Sequence, residues 1–142
     1  MPMKSIIVTV FCSLLIFCTS CKEHEFYLSI TNLDTSKYIN VTLDEIALNP
    51  SKFHGVKIKT IGVFYNGFEN FAIYSKKGEI SGIGNSLWLE LDSSLIGNRK
   101  ILNRANEKTV LIMGVVDTNQ KGHQSLHMGT LSDVKFIKLK NN

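Results

Sequence analysis

Val56-Lys57-Ile58-Lys59-Thr60-Ile61-Gly62-Val63 is the stretch whose reading decides the fold. Val56, Ile58 and Thr60 share one face of an extended chain, then Ile61 and Val63 take up the other, with Gly62 between them. Such a parity switch beside a glycine predicts a bulge that bends a long strand, so that one strand serves both halves of a barrel. Downstream, Asn66-Gly67 predicts a turn and residues 71–75 a second strand. Lys76-Lys77-Gly78 opens a glycine-rich loop that runs through Gly82 and Gly84. Leu87, Leu89 and Leu91 then alternate with Trp88, Glu90 and Asp92, the clearest period-2 pattern in the chain.

Residues 93–108 are polar and irregular, with room for a short helix or a loop. The apolar run Val110-Leu111-Ile112-Met113-Gly114-Val115-Val116 predicts a strand buried on both faces or nearly so. Residues 119–122 turn the chain, and residues 126–139 supply one last bent strand or two short ones. Upstream, Thr42-Leu43-Asp44-Glu45 has the capping-box pattern, a hydroxyl at the N-cap and a carboxylate three residues on. It predicts a helix of one or two turns with Leu43, Ile46 and Ala47 on its apolar side. Asn49-Pro50 ends it, because the residue before proline is pushed out of the helical region. Residues 51–53 have room for one further turn before Gly55. Residues 22–40 are polar with scattered apolar positions and read as a tether, the alternative being a short added strand through Phe26, Leu28 and Ile30.

Short helix, long bent strand, two more strands, an irregular connection and two final strands make a mainly β chain. The order resembles the OB-fold, a five-stranded Greek-key barrel with, here, a short N-terminal helix. The resemblance covers residues 41–139. It rests on Asn49-Pro50-Ser51-Lys52-Phe53-His54-Gly55, Thr60-Ile61-Gly62-Val63, the run from Val110 to Gly114, and Lys121-Gly122-His123. Together these look like a group of small envelope proteins with OB-like domains. They speak to fold and not to activity, since one barrel hosts many functions.

The first residues are a single cation, Lys4, an apolar run from Ser5 to Phe17, then Thr19 and Ser20 before Cys21. The run is shorter than the roughly 20 apolar residues a membrane-spanning helix needs, so residues 1–20 read as a signal peptide. Signal peptidases require small side chains at the scissile bond, and of Cys12, Cys18 and Cys21 only Cys21 has one immediately before it. Cys18-Thr19-Ser20-Cys21 resembles the lipobox of bacterial lipoproteins, with Cys18 where that family usually carries Leu. The resemblance implies lipidation of Cys21, anchoring to a membrane, and residues 21–40 as lipidated cysteine and tether before a domain of residues 41–142. An ordinary cleaved signal and an uncleaved anchor helix are the alternatives. Cleavage before Cys21 removes Cys12 and Cys18, leaving no disulfide in an oxidising compartment. Lys22 follows the cysteine where inner-membrane retention would place Asp, so the same resemblance implies the outer membrane.

The chain has 16 Lys and Arg against 12 Asp and Glu. Removing Lys4 leaves a net charge of +3, too mild to identify an anionic partner. Glu90 and Asp92 share a strand face and offer a general acid and base, against which stands a solvated outer face. His123 and His127 lie roughly 13 Å apart on an extended chain and could share a metal only if the chain folded back. Ser125 sits between them without the glycines of a nucleophile elbow. The glycine-rich loop lacks the lysine and hydroxyl of a phosphate-binding loop. No catalytic residue, metal or cofactor is therefore expected. Trp88 lies opposite the leucines, where OB barrels commonly bind chains, and Tyr74 with Lys76 and Lys77 extends this into a candidate stacking platform. The competing reading covers Trp88 with the capping helix or the N-terminal segment. The expected function is a non-enzymatic envelope binding module for a protein or peptide partner, with a glycan second and a hydrolase of envelope polymers third. Nucleic acid is excluded as a partner by the expected location.

Overall fold

A computed structural model describes residues 27–76 and 85–140 of the chain. The strands are β1 (Tyr27–Ser29), β2 (Ile39–Asn40), β3 (Lys57–Asn66), β4 (Phe71–Tyr74), β5 (Ser86–Leu91), β6 (Lys108–Asp117) and β7 (Gly129–Leu139). Helix α1 (Leu43–Leu48) precedes β3, and α2 (Arg99–Ala105) connects β5 to β6. β3 pairs antiparallel with β4 and β6, β4 with β5, and β6 with β7, while β5 and β7 run parallel. The circuit β3-β4-β5-β7-β6-β3 is closed. β1 adds antiparallel to the end of β7, and β2 adds parallel to the start of β3. The domain is a small, mainly β, OB-like barrel with two extra strands and two short helices.

Closure follows from alternation. Ile58 and Phe64 of β3, Ile73 of β4, Leu87 and Leu89 of β5, Val110, Ile112 and Val116 of β6, and Leu131 and Ile137 of β7 form one buried cluster. Each such side chain contributes roughly 1.5–3 kcal/mol by leaving water. The Thr42 hydroxyl accepts from the Glu45 backbone N–H, and the Glu45 carboxylate accepts from Thr42 N at 2.7 Å, so the capping box forms as its spacing predicts. α1 then sends Leu43 and Ile46 into the core, and Pro50–Phe53 makes the further turn. α2 closes the other end with Leu102 and Ala105. β6 is buried at Val110, Ile112, Met113 and Val116 and half-buried at Leu111 and Val115, close to the two-sided burial its composition predicts.

Two expectations are corrected. The parity of β3 does not switch at Gly62: Ile58, Thr60, Gly62 and Phe64 all sit on the buried side, Ile61 is half exposed, and pairing with β6 runs in unbroken register from Lys57 to Phe64. Val63 and Tyr65 are buried as well, but in a separate cluster with Ala72 and Tyr74 on the barrel's outer side. Gly62 is needed for close approach instead, since a Cβ there would lie 2.5 Å from the Tyr74 carbonyl oxygen. The irregularity lies in β7, whose register shifts between Leu89 and Leu91 of β5 and between Met113 and Val115 of β6. Asp133 takes up the extra length at φ 49, between the two halves of the strand. The second correction concerns the tether. From Tyr27 to Asn40 the chain lies against the barrel, with the added strands β1 and β2 paired to it on either side of a turn and a 3-10 helix at Thr35–Lys37, and with Leu28, Tyr38 and Val41 buried. The signal peptide and Cys21 lie outside the described residues.

Gly62→Val is expected to destabilise the domain by about 3 kcal/mol, because the Tyr74 carbonyl and Ile73 side chain must move to admit it. Urea unfolding checks this, and an unchanged midpoint would contradict the close packing of β3 on β4.

Candidate functional site

Trp88 and Tyr74 do share the outer face of β4 and β5. Alternation turns Leu87 and Leu89 inward, so Ser86, Trp88 and Glu90 face outward, and the register sets Trp88 opposite Ala72 and Ser86 opposite Tyr74. β3 adds Tyr65 beside Tyr74, their rings edge to face with centroids 5.2 Å apart. The face is thus an aromatic band crossing three strands.

The band is not open. The connection from β6 to β7, residues 118–128, folds back across it. His127 is buried at 5% exposure, its ring 6.0 Å from that of Tyr74 and 5.6 Å from that of Trp88. Its Nδ1 lies 2.9 Å from the Oγ of fully buried Ser86. Gly122 sits against the Trp88 indole at φ +66, where a Cβ would come within 2.5 Å of Trp88 Cβ and Cγ. Both the backbone angle and the contact admit only glycine there. The expected covers of Trp88, the capping helix or the N-terminal segment, are therefore replaced by Gly122 and His127. Backbone bonds seat the segment: Met128 N donates to Ser86 O at 3.1 Å and His127 N to Lys121 O at 3.2 Å. The Thr130 hydroxyl donates to Gln120 O at 3.0 Å.

Tyr74 does not form the free platform expected of it. It is 4% exposed and donates its hydroxyl to Asn70 Oδ1 at 2.7 Å, and burial raises its phenol above the ordinary value. Trp88 keeps a partly exposed edge, and Lys76 is exposed at the end of β4. Lys77 lies outside the described residues.

The remaining pairs weighed from the sequence, Glu90 with Asp92 and His123 with His127, stand in unlike surroundings. Asp92 accepts from the Ser94 backbone N–H at 2.9 Å and from its hydroxyl at 2.6 Å, bonds that hold its carboxyl below the ordinary range. That is the opposite of what a general acid needs. Glu90 stays exposed. His123 is exposed while His127 is enclosed by aromatic rings. Among the described residues no three His, Cys, Asp or Glu side chains are grouped to hold a metal. Ser125 is replaced by Ser86 as the serine beside a histidine. Because both partners are buried, that bond satisfies two sealed polar groups and does not present a nucleophile.

An open cleft lies at the α2 end of the barrel instead. It has a volume of about 490 Å³ and is lined by Phe71, Leu91, Ile96 and Leu102, with Asn66, Asn103 and Arg99 as its polar groups. Asn66 Nδ2 donates to Asn103 Oδ1 and Asn66 N donates to Asn106 Oδ1, both at 2.7 Å, tying the β3–β4 hairpin to α2 and the residue that follows it. The same hairpin carries Phe68, 97% exposed, and Ile96 of the cleft wall is 59% exposed. Sequence reading passed over Phe68, although an aromatic one residue beyond Asn66-Gly67 had no core role at a turn. No family model, curated protein or solved structure matches the chain. No helix among the described residues is long and apolar enough to cross a membrane.

Trp88→Ala is expected to cost about 2 kcal/mol, less than the roughly 3–5 kcal/mol of a fully enclosed tryptophan, because part of the indole is already wet. Urea denaturation checks it. A stability equal to that of the unsubstituted protein would contradict the seating of Gly122 and His127 on the ring.

Proposed function

We propose that the protein is a lipid-anchored binding module of the bacterial cell envelope, without catalytic activity, that holds a protein or peptide partner at the α2 end of its barrel. The observation that carries the reading is the open apolar cleft of Phe71, Leu91, Ile96 and Leu102, whose Ile96 is itself 59% exposed, together with Phe68, 97% exposed on the β3–β4 hairpin that Asn66 ties to α2. An apolar wall with a few convergent polar groups is the usual make-up of a recognition site. Asn66, Asn103 and Arg99 supply side-chain amides for a peptide backbone and a cation for a carboxylate. Attachment rests on the lipobox-like Cys18-Thr19-Ser20-Cys21. Several acyl chains on Cys21 would hold the domain durably, where a single chain binds only marginally.

The test places a photo-reactive phenylalanine analogue at position 68, with position 48 as an exposed apolar control on α1, in cells fed a labelled fatty acid. Discrete protein adducts are expected from position 68 and not from 48, on a chain carrying the label, and Cys21→Ala is expected to abolish the label. Equal crosslinking from both positions would overturn the site. Full labelling of the Cys21→Ala chain would overturn the anchor.

A further inference from the structure

We propose that residues 118–128 are a hinged cover over the aromatic face of β4 and β5, held shut by neutral His127 and released when that imidazole takes up a proton. The cover is fastened at its ends. Asn119 N donates to Asp117 Oδ1 and Thr118 N to His54 Nδ1 on one side, and Met128 N to Ser86 O on the other. Between these points Gly122 and His127 hold it to the face, while residues 123–126 are exposed. Gln124 and Ser125 stand in the left-handed region at φ 54 and 55, which a residue with a side chain adopts only against steric resistance. The closed form therefore carries strain that opening relieves, and the enclosure of His127 offsets it.

Protonation removes that offset because, among the described residues, no carboxylate faces the ring to answer a positive charge. β4 presents Tyr74, whose phenol stays neutral, with Lys76 at the strand's end. β5 presents Ser86 and Trp88, neither of them ionisable in this range. The cover itself holds cationic Lys121 and exposed His123. No carboxylate is among these groups. Burial accordingly lowers the His127 pKa from its ordinary 6.5. A histidine depressed on closing contributes its stability in full above the ordinary value, and loses it as pH falls from there through the closed-state value. Opening belongs to the acid side of neutrality, in the range where histidine switches act. It would bare Trp88, Tyr74 and Tyr65 together, a stacking surface distinct from the cleft at the α2 end.

Trp88 is the only tryptophan, so acrylamide quenching of the full-length protein between about pH 7.5 and pH 5 reads the cover directly. The quenching constant is expected to rise about twofold or more on acidification, with a red-shifted emission and an unchanged far-ultraviolet strand signal. His127→Gln, whose amide can still meet the Ser86 hydroxyl, is expected to show no such pH dependence. If that variant does not fold, His127→Phe fills the space between the rings and serves as the non-titrating control. A quenching constant flat with pH would overturn the proposal, as would an equal rise in the control. A rise accompanied by loss of the strand signal would overturn it too, because the whole barrel, not the cover, would then be opening.

Discussion

The parallel pairing of β5 with β7 is the contact on which the rest of the domain depends. It joins Leu87, Trp88 and Leu89 to Gly129, Thr130 and Leu131 and turns a five-strand antiparallel arrangement into a closed circuit. Without it β5 and β7 would each offer an open edge, and Leu87, Leu89 and Leu131 would lose their enclosure. It also fixes where the chain enters β7, so the preceding segment has to pass over the outer face of β5. The covering of Trp88 by Gly122 and His127 is thus a result of closure. A strand that pairs with β5, β6 and finally β1 cannot keep one register throughout, and the shift at Asp133 absorbs the difference.

Much of this was legible in the sequence because it rests on local rules. The capping box at Thr42 and Glu45, the stop at Asn49-Pro50 and the alternation from Leu87 to Leu91 all depend on neighbours a few residues apart, and all of them form, while the turn predicted at Asn66-Gly67 runs from Gly67 to Asn70 with Asn66 still in β3. The added strands were less legible. β1 and β2 are three and two residues long, and their stability comes from β7 and β3, far along the chain. Gly62 was recognised as a constrained position for the wrong reason. A glycine in a strand signals either a bulge or a close approach, and only the position of the Tyr74 carbonyl distinguishes them. The true irregularity, at Asp133, carries no glycine to announce it.

The candidate site divides in the same way. Alternation placed Trp88 on the outer face, and Ser86 could have been placed there by the same count. What covered the face could not be read, because the contacts join residues 86–88 to residues 122–127 through the barrel's topology. Lys121-Gly122-His123 entered the sequence reading as a likeness of fold, and its structural meaning is the seat on an indole ring. Glu90 and Asp92, and His123 and His127, stand in surroundings that spacing alone could not distinguish. Asp92 is occupied by Ser94, and the fold encloses one histidine while leaving the other in water. The cleft is assembled from β3, β4, β5, the connection after β5 and α2, and α2 is tied to the β3–β4 hairpin through Asn66.

Closure is tested most directly by nuclear Overhauser contacts across β5 and β7 in the full-length protein. The account predicts the parallel pattern, with amide and Hα protons of Leu87, Trp88 and Leu89 close to those of Gly129, Thr130 and Leu131, alongside antiparallel contacts between β4 and β5. Antiparallel contacts to β4 on one side of β5, with none to β7 on the other, would show an open sheet and contradict it.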